Sequence, residues 1–197
     1  MIKCKNIYLG FDEKPVFSDL NVEVSKGTHL CISGVSGKGK STFLKMLQAY
    51  VLPENGSVEI NGNLLNSTNL KNIRRSMVWI PQDINLPVEN GFELAKMLNL
   101  DTDSGNIENF LEKLGLEQDM LNRSFQKISG GQKQRVIIAI CLALDKDIVL
   151  MDEPTASLDD KAIKLLINTI KQLSGKTIIS ASHNHLWLEG ADQIFEI

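Results

Sequence analysis

Gly34-Val-Ser-Gly-Lys-Gly-Lys-Ser41 is the stretch that decides the fold. It satisfies the pattern G-x-x-x-x-G-K-[ST]. Residues 29–33 before it form a compact apolar run that reads as a strand, and residues 41–50 after it read as an amphipathic helix. Strand, glycine turn and helix together are the context the pattern requires. The glycines let the backbone curl so that successive N–H groups point at phosphate oxygens, and the helix N-terminus adds the positive end of its dipole. Gly34, Ser36, Gly37, Lys38, Gly39, Lys40, Ser41 and Thr42 are therefore the candidate phosphate cradle for a bound nucleotide. Lys40 is placed to bridge the β- and γ-phosphates, Ser41 to hold Mg2+, and Thr42 to add a hydroxyl contact. Lys38 is an extra cation that either strengthens phosphate attraction or faces solvent.

Outward from this loop, short β-branched runs alternate with helical patterns. Residues 20–24 alternate apolar and polar as a half-exposed antiparallel strand does, and residues 57–60 and 77–80 read as further strands. The β signal disappears between Pro81 and Ile128, where residues 92–100 and 107–114 read as helices. Residues 148–151, 177–181 and 193–197 then restore short buried strands. Such alternation predicts a mainly parallel sheet covered on both faces. No internal repeat, low-complexity tract or long linker interrupts it.

A second motif stands at the end of one of these strands. Ile148-Val-Leu-Met-Asp152-Glu153-Pro154 is an apolar run that closes on two carboxylates. In phosphate-loop enzymes the first acid organises Mg2+, and a carboxylate beside it orients and deprotonates the attacking water. Asp152 and Glu153 fit those two roles. The bland alternative is a cap before the helical pattern of residues 162–170.

Bulk properties narrow the setting. A chain of 197 residues with 43% hydrophobic and 23% charged residues has the composition of one globular domain. The net charge of −3, with lysines and arginines scattered, gives no footprint for nucleic acid and no polybasic membrane anchor. The longest apolar run, residues 136–144, is too short to cross a bilayer, and residues 1–9 carry no signal-peptide pattern. Cys4, Cys31 and Cys141 sit in apolar stretches without metal-ligand spacing, which predicts reduced, buried thiols and a cytoplasmic location.

Between the two nucleotide motifs lies Ile128-Ser-Gly-Gly-Gln132-Lys-Gln-Arg135. Its Ser-Gly-Gly turn opens the helical pattern of residues 132–144 and makes a second anion-binding helix N-terminus. One nucleotide cannot easily use two such termini of one small chain, whereas two chains facing head to tail can complete each other's sites. In this order the motifs resemble the ABC (ATP-binding cassette) ATPase family, and the resemblance covers essentially the whole chain.

That resemblance implies an α/β phosphate-loop NTPase fold with a mainly parallel core sheet and an N-terminal antiparallel β element. Residues 1–81 and 129–197 would form the catalytic core and residues 82–128 a helical subdomain insert. It further implies a homodimer with ATP at the interface, where Ser129, Gly130, Gly131 and Gln132 meet the nucleotide held by the opposite chain. Gln82 resembles the family glutamine that touches Mg2+ and the attacking water. Asp159, in Ser157-Leu158-Asp159, resembles the residue that communicates across the dimer. His183 resembles the histidine that contacts the γ-phosphate, with His185 as a nearby competitor. Phe11 stands where the family stacks an aromatic ring on adenine, or else it packs its own hairpin. The partner implied is a separate integral membrane permease, which would hold the chain at the inner face of the cell membrane. A soluble ABC ATPase in iron-sulphur cofactor assembly is the alternative. Departures are modest: Ile128 replaces the commonest leucine, Ile140 a frequent arginine and Asn184 the usual acid. With the last strand pattern running to Ile197, no accessory regulatory domain of the kind some relatives carry is expected.

Overall fold

The computed structural model describes residues 1–12, 14–83 and 86–197. Ile84 and Asn85, inside the span expected for the helical insert, lie outside the described residues. In chain order the elements begin with β1 (Ile2–Phe11), β2 (Lys14–Val24), β3 (His29–Ser33), α1 (Lys40–Leu47), β4 (Asn55–Ile60), β5 (Asn63–Leu64), α2 (Leu70–Arg75) and β6 (Met77–Ile80). Next come α3 (Gly91–Met97), α4 (Asn106–Lys113), a 3-10 turn (Gln118–Leu121) and α5 (Gly130–Ala143). The chain continues with β7 (Ile148–Asp152), α6 (Asp160–Lys171), β8 (Thr177–Ala181), α7 (His185–Gly190) and β9 (Gln193–Glu196).

The strands form two sheets. One is antiparallel in the order β2-β1-β4-β5, and the other is parallel in the order β6-β7-β8-β3-β9. Successive side chains of a strand point to opposite faces, and the parallel sheet uses this to feed two cores. Val149 and Met151 of β7, Cys31 of β3 and Ile178 of β8 join the core built with α3, α4, α5 and α6. Ile148 and Leu150, Leu30 and Ile32, and Ile179 join the other, with α1 and the antiparallel sheet. Both faces are covered, so these strands read as mainly apolar runs. Each fully buried Leu or Ile there contributes roughly 1.5–3 kcal/mol.

The α/β architecture with a parallel core, an antiparallel β element and intervening helices is the one the sequence pattern predicts. Several bounds differ, for local reasons. Helix α1 stops at Leu47, short of Tyr50, because Ala49 turns into the left-handed region at φ 53°. Arg74 of α2 then donates through Nε to the Gln48 carbonyl at 2.8 Å and closes that helix end. Strand β2 starts at Lys14, well before the alternating segment, because it pairs along nearly all of β1. The short elements β5, α2, α7 and the 3-10 turn were not legible as periodic segments. Cys4, Cys31 and Cys141 are buried free thiols, and burial pushes Cys4 and Cys141 up to about 12. Among the described residues no helix is long and apolar enough to cross a membrane.

Candidate functional site

The strand order determines what meets at the site. β6, β7, β8 and β3 lie side by side and run in the same direction. Their carboxyl ends therefore deliver Gln82, the Asp152–Glu153 pair, His183 and the phosphate loop to one edge of the sheet. Ligands of open α/β sheets bind in the crevice outside that edge. A cavity of about 270 Å³ opens there, lined by Ser36, Gly37, Gly39, Lys40, Ser41 and Thr42 from the loop and helix, together with Gln82, Glu153, Ala156 and His183.

The loop is shaped for an anion. Gly39 is the N-cap of α1 at φ 103°, and a Cβ there would stand 2.5 Å from Val16 Cγ1. Only glycine suits both the turn and the contact. No side chain caps α1 and no acid occupies its first turn, so its N–H groups and dipole face the cavity. Lys40 is buried and its Nζ donates to the carbonyls of Gly34 at 2.9 Å and Val35 at 3.3 Å. The same ammonium lies 3.8 Å from Glu153 Oε1, in an ion pair whose side chains are about nine-tenths buried.

Glu153 is the most constrained residue of the site. Its backbone has φ 46°, left-handed for a residue with a long side chain, a conformation that costs on the order of 1 kcal/mol. Its N–H donates to the Ala181 carbonyl at 2.9 Å. Oε1 lies 3.1 Å from His183 Nδ1, while Oε2 is buried without a partner among the described residues. The His183 ring is 77% exposed, so it projects from the edge into the open part of the crevice. His185 instead opens α7 and does not line the cavity.

Asp152 accepts a hydrogen bond from Ser41 Oγ at 3.0 Å. Burial raises its carboxyl above the usual range and the Glu153 charge adds to this, against the Ser41 hydrogen bond and the charges of Lys45 and Lys40. A hydroxyl and a carboxylate oxygen side by side are the hard donors Mg2+ prefers. That ion is commonly held by one or two protein oxygens, with phosphate and water completing its shell. Among the described residues no cluster of three or more His, Cys, Asp or Glu offers an all-protein metal cage. The donor set fits Mg2+ bound together with a phosphate.

Other expected residues lie apart from this cavity. Phe11, 49% exposed, and Lys38 line a neighbouring hollow of about 480 Å³ with Asp12, Lys14, Pro15, Val16 and Gly37. Gly37 belongs to both hollows. Ser129, Gly130, Gly131, Gln132 and Asp159 do not line the first cavity. Ser129 and Gln132 form a reciprocal cap on α5: Ser129 Oγ accepts from Gln132 N at 3.2 Å, and Gln132 Oε1 accepts from Ser129 N at 3.0 Å. Asp159 caps α6 by accepting from Ala162 N at 2.8 Å. A Cβ on Gly131 would meet the Ser157 carbonyl oxygen at 2.4 Å, so the Ser-Gly-Gly turn packs directly on the loop that carries Asp159.

Sequence reasoning missed two residues near the site. Gln134 is buried on α5 and donates through Nε2 to the Pro154 carbonyl at 2.9 Å and, at 3.5 Å, to that of Glu153. Its spacing from the Ser-Gly-Gly turn was the available signal. Asn184, noted as a departure, accepts from Trp187 N at 3.1 Å and so caps α7.

Fold and site together define a nucleotide-binding protein of the phosphate-loop class. Comparison with known proteins places it more closely. The model of the ABC transporter family matches residues 17–156. The energy-coupling factor transporter ATP-binding protein EcfA1 of Mycoplasmopsis synoviae is 35% identical over 93% of this chain and 74% of its own length. The L-cystine import ATP-binding protein TcyN of Bacillus subtilis is 34% identical over 93% of this chain and 76% of its own length. Among solved structures, the dimeric ATP-binding cassette MJ0796 bound to ADP and Pi matches with a TM-score of 0.83 and 27% identity, covering 100% of this chain and 94% of its own. The chain belongs to the ABC transporter family.

Proposed function

We propose that this chain is the ATP-binding and hydrolysing motor of a transporter, working as a head-to-tail dimer on a separate membrane permease. The observation that carries the reading is the convergence of Lys40, Ser41, Glu153, Gln82 and His183 on one crevice, with Asp152 hydrogen-bonded to Ser41 beside it. The Ser129–Gly131 turn and Asp159 lie outside it and are free to serve a second copy. Residues 1–81 and 129–197 act as the catalytic core, and residues 82–128 as the helical part that meets the permease. Association with that permease holds the motor peripherally on the cytoplasmic face of the membrane.

The residues divide the work. Phe11 stacks on the adenine, Lys38 flanks the same hollow, and the N–H groups of residues 34–42 cradle the phosphates. Ser41 and Asp152, with Gln82, hold Mg2+, which when bound neutralises charge on the β- and γ-phosphates. Glu153 takes the proton of the attacking water, and its low exposure limits competition from bulk solvent. His183, beside Glu153, reaches the γ-phosphate, and Lys40 balances the charge that develops on the transferred group. Ser129, Gly130, Gly131 and Gln132 of the second copy close the site, and Asp159 links the two sites.

Substitution of the base tests this reading. Glu153→Gln is expected to keep ATP binding, to accumulate ATP-bound dimers on size exclusion, and to lose phosphate release by about 10²-fold or more. Wild-type turnover in that variant would remove Glu153 from its role. Ser129→Arg is expected to stop hydrolysis while the monomer keeps its nucleotide affinity. Loss of that affinity would remove the trans role of the turn.

A further inference from the structure

We infer that Gln134 is a positioning residue for Glu153: its side-chain amide holds the backbone turn on which the base stands. The inference rests on the reading of Glu153 as the group that activates water.

The left-handed conformation of Glu153 persists only where its surroundings over-determine it. Two backbone ties come from the strand and the loop. Glu153 N donates to the Ala181 carbonyl at 2.9 Å, and Ala156 N donates to the Glu153 carbonyl at 3.2 Å. Gln134 Nε2 supplies the tie from the helical side, reaching the Pro154 carbonyl at 2.9 Å and the Glu153 carbonyl at 3.5 Å. Its own Oε1 is buried without a partner among the described residues. The amide satisfies the buried Pro154 carbonyl while leaving its own oxygen unsatisfied, so what it contributes is the hold on this turn rather than a fully satisfied buried network.

The placement also joins two sites. Gln134 sits about one turn into α5, whose first turn carries Ser129, Gly130 and Gly131. Gly131 lies against the Ser157 backbone of the same loop that Gln134 holds at Pro154. A displacement of the Ser-Gly-Gly turn as it engages the second copy's nucleotide is therefore passed to Glu153 of its own chain.

Gln134→Met, close in volume and length, removes the amide. Its kcat for ATP is expected to fall about tenfold or more, because a small misplacement of a catalytic group has that effect. ATP affinity is expected to stay within about twofold, since Gln134 does not line the nucleotide cavity. The deciding measurement is the double variant Gln134→Met/Glu153→Gln. If Gln134 acts through Glu153, the double variant turns over no more slowly than Glu153→Gln alone. Wild-type kcat in Gln134→Met would overturn the inference, as would a double variant reduced below Glu153→Gln by the same factor. Should Gln134→Met fail to fold, Gln134→Asn keeps an amide that is too short to reach and is read by the same cycle. Glu153→Gln with wild-type turnover would instead bring down the reading of the base itself, so the two failures are separable.

Discussion

Acid sensitivity at His29 is a consequence of the fold that the motifs do not announce. The ring of His29, at the head of β3, is buried, with Nε2 2.9 Å from Ser180 Oγ, and it meets Trp187 edge-on at 5.3 Å. Ser180 Oγ also accepts from Trp187 Nε1 at 2.9 Å, and its hydroxyl can donate to Nε2 of a neutral His29 ring. Protonating Nε2 removes that acceptor. Burial lowers the pKa from 6.5 to about 4, helped by Lys171 and opposed by the Asp192 charge and the Gly190 carbonyl. The unfolded chain thus binds a proton below pH 6.5 that the fold refuses until about pH 4, so stability falls as pH drops through that window. At about 1.4 kcal/mol per pH unit of separation the full loss is about 3 kcal/mol, and about 2 kcal/mol of it falls between pH 7.5 and 5. Urea denaturation at a series of pH values reads this directly. His29→Gln keeps an acceptor for the Ser180 hydroxyl and cannot titrate, so its stability is expected to fall less steeply and the two curves to converge toward pH 5. Parallel curves for wild type and variant would refute the argument.

Two further substitutions probe other contacts. Gly131→Ala would gain about 1 kcal/mol of helix propensity, but its Cβ would stand 2.4 Å from the Ser157 carbonyl oxygen, a backbone atom that cannot swing away. A net loss of about 1–3 kcal/mol in urea denaturation is expected, and a more stable variant would contradict the close packing of turn and loop. Phe11→Ala is expected to weaken ADP binding about five- to tenfold in calorimetric titration while leaving pyrophosphate binding unchanged, as loss of one stacking partner requires. Unchanged ADP affinity would return Phe11 to a packing role.

Much of this was local information. The phosphate loop, the acidic strand end and the Ser-Gly-Gly turn are contiguous stretches, so residue type and spacing pointed to the fold class, and the order of the motifs carried the resemblance to the family. Residues 77–80 and 177–181 matched β6 and β8 to the residue because each is a short, β-branched or aromatic, mainly apolar run with sharp ends. Helices α2 and α7, six residues each, are too short to display a period and are held by partners distant in sequence, such as Gln48 for Arg74.

What the sequence by itself determined was the chemistry available: which residues suit phosphate, Mg2+ and water activation. Only the tertiary structure decided which of them meet. Lys40 and Glu153 are separated by more than a hundred residues, and they come within 3.8 Å because β3 and β7 both lie beside β8 and run parallel to it. The order of parallel strands depends on how crossover helices pack over the whole sheet, not on any one segment. The same holds for Gln134 beside Pro154, for His29 beside Ser180, and for the Ser-Gly-Gly turn lying outside its own chain's cavity. A side chain's type is local, whereas its neighbours across the core are set by every element at once.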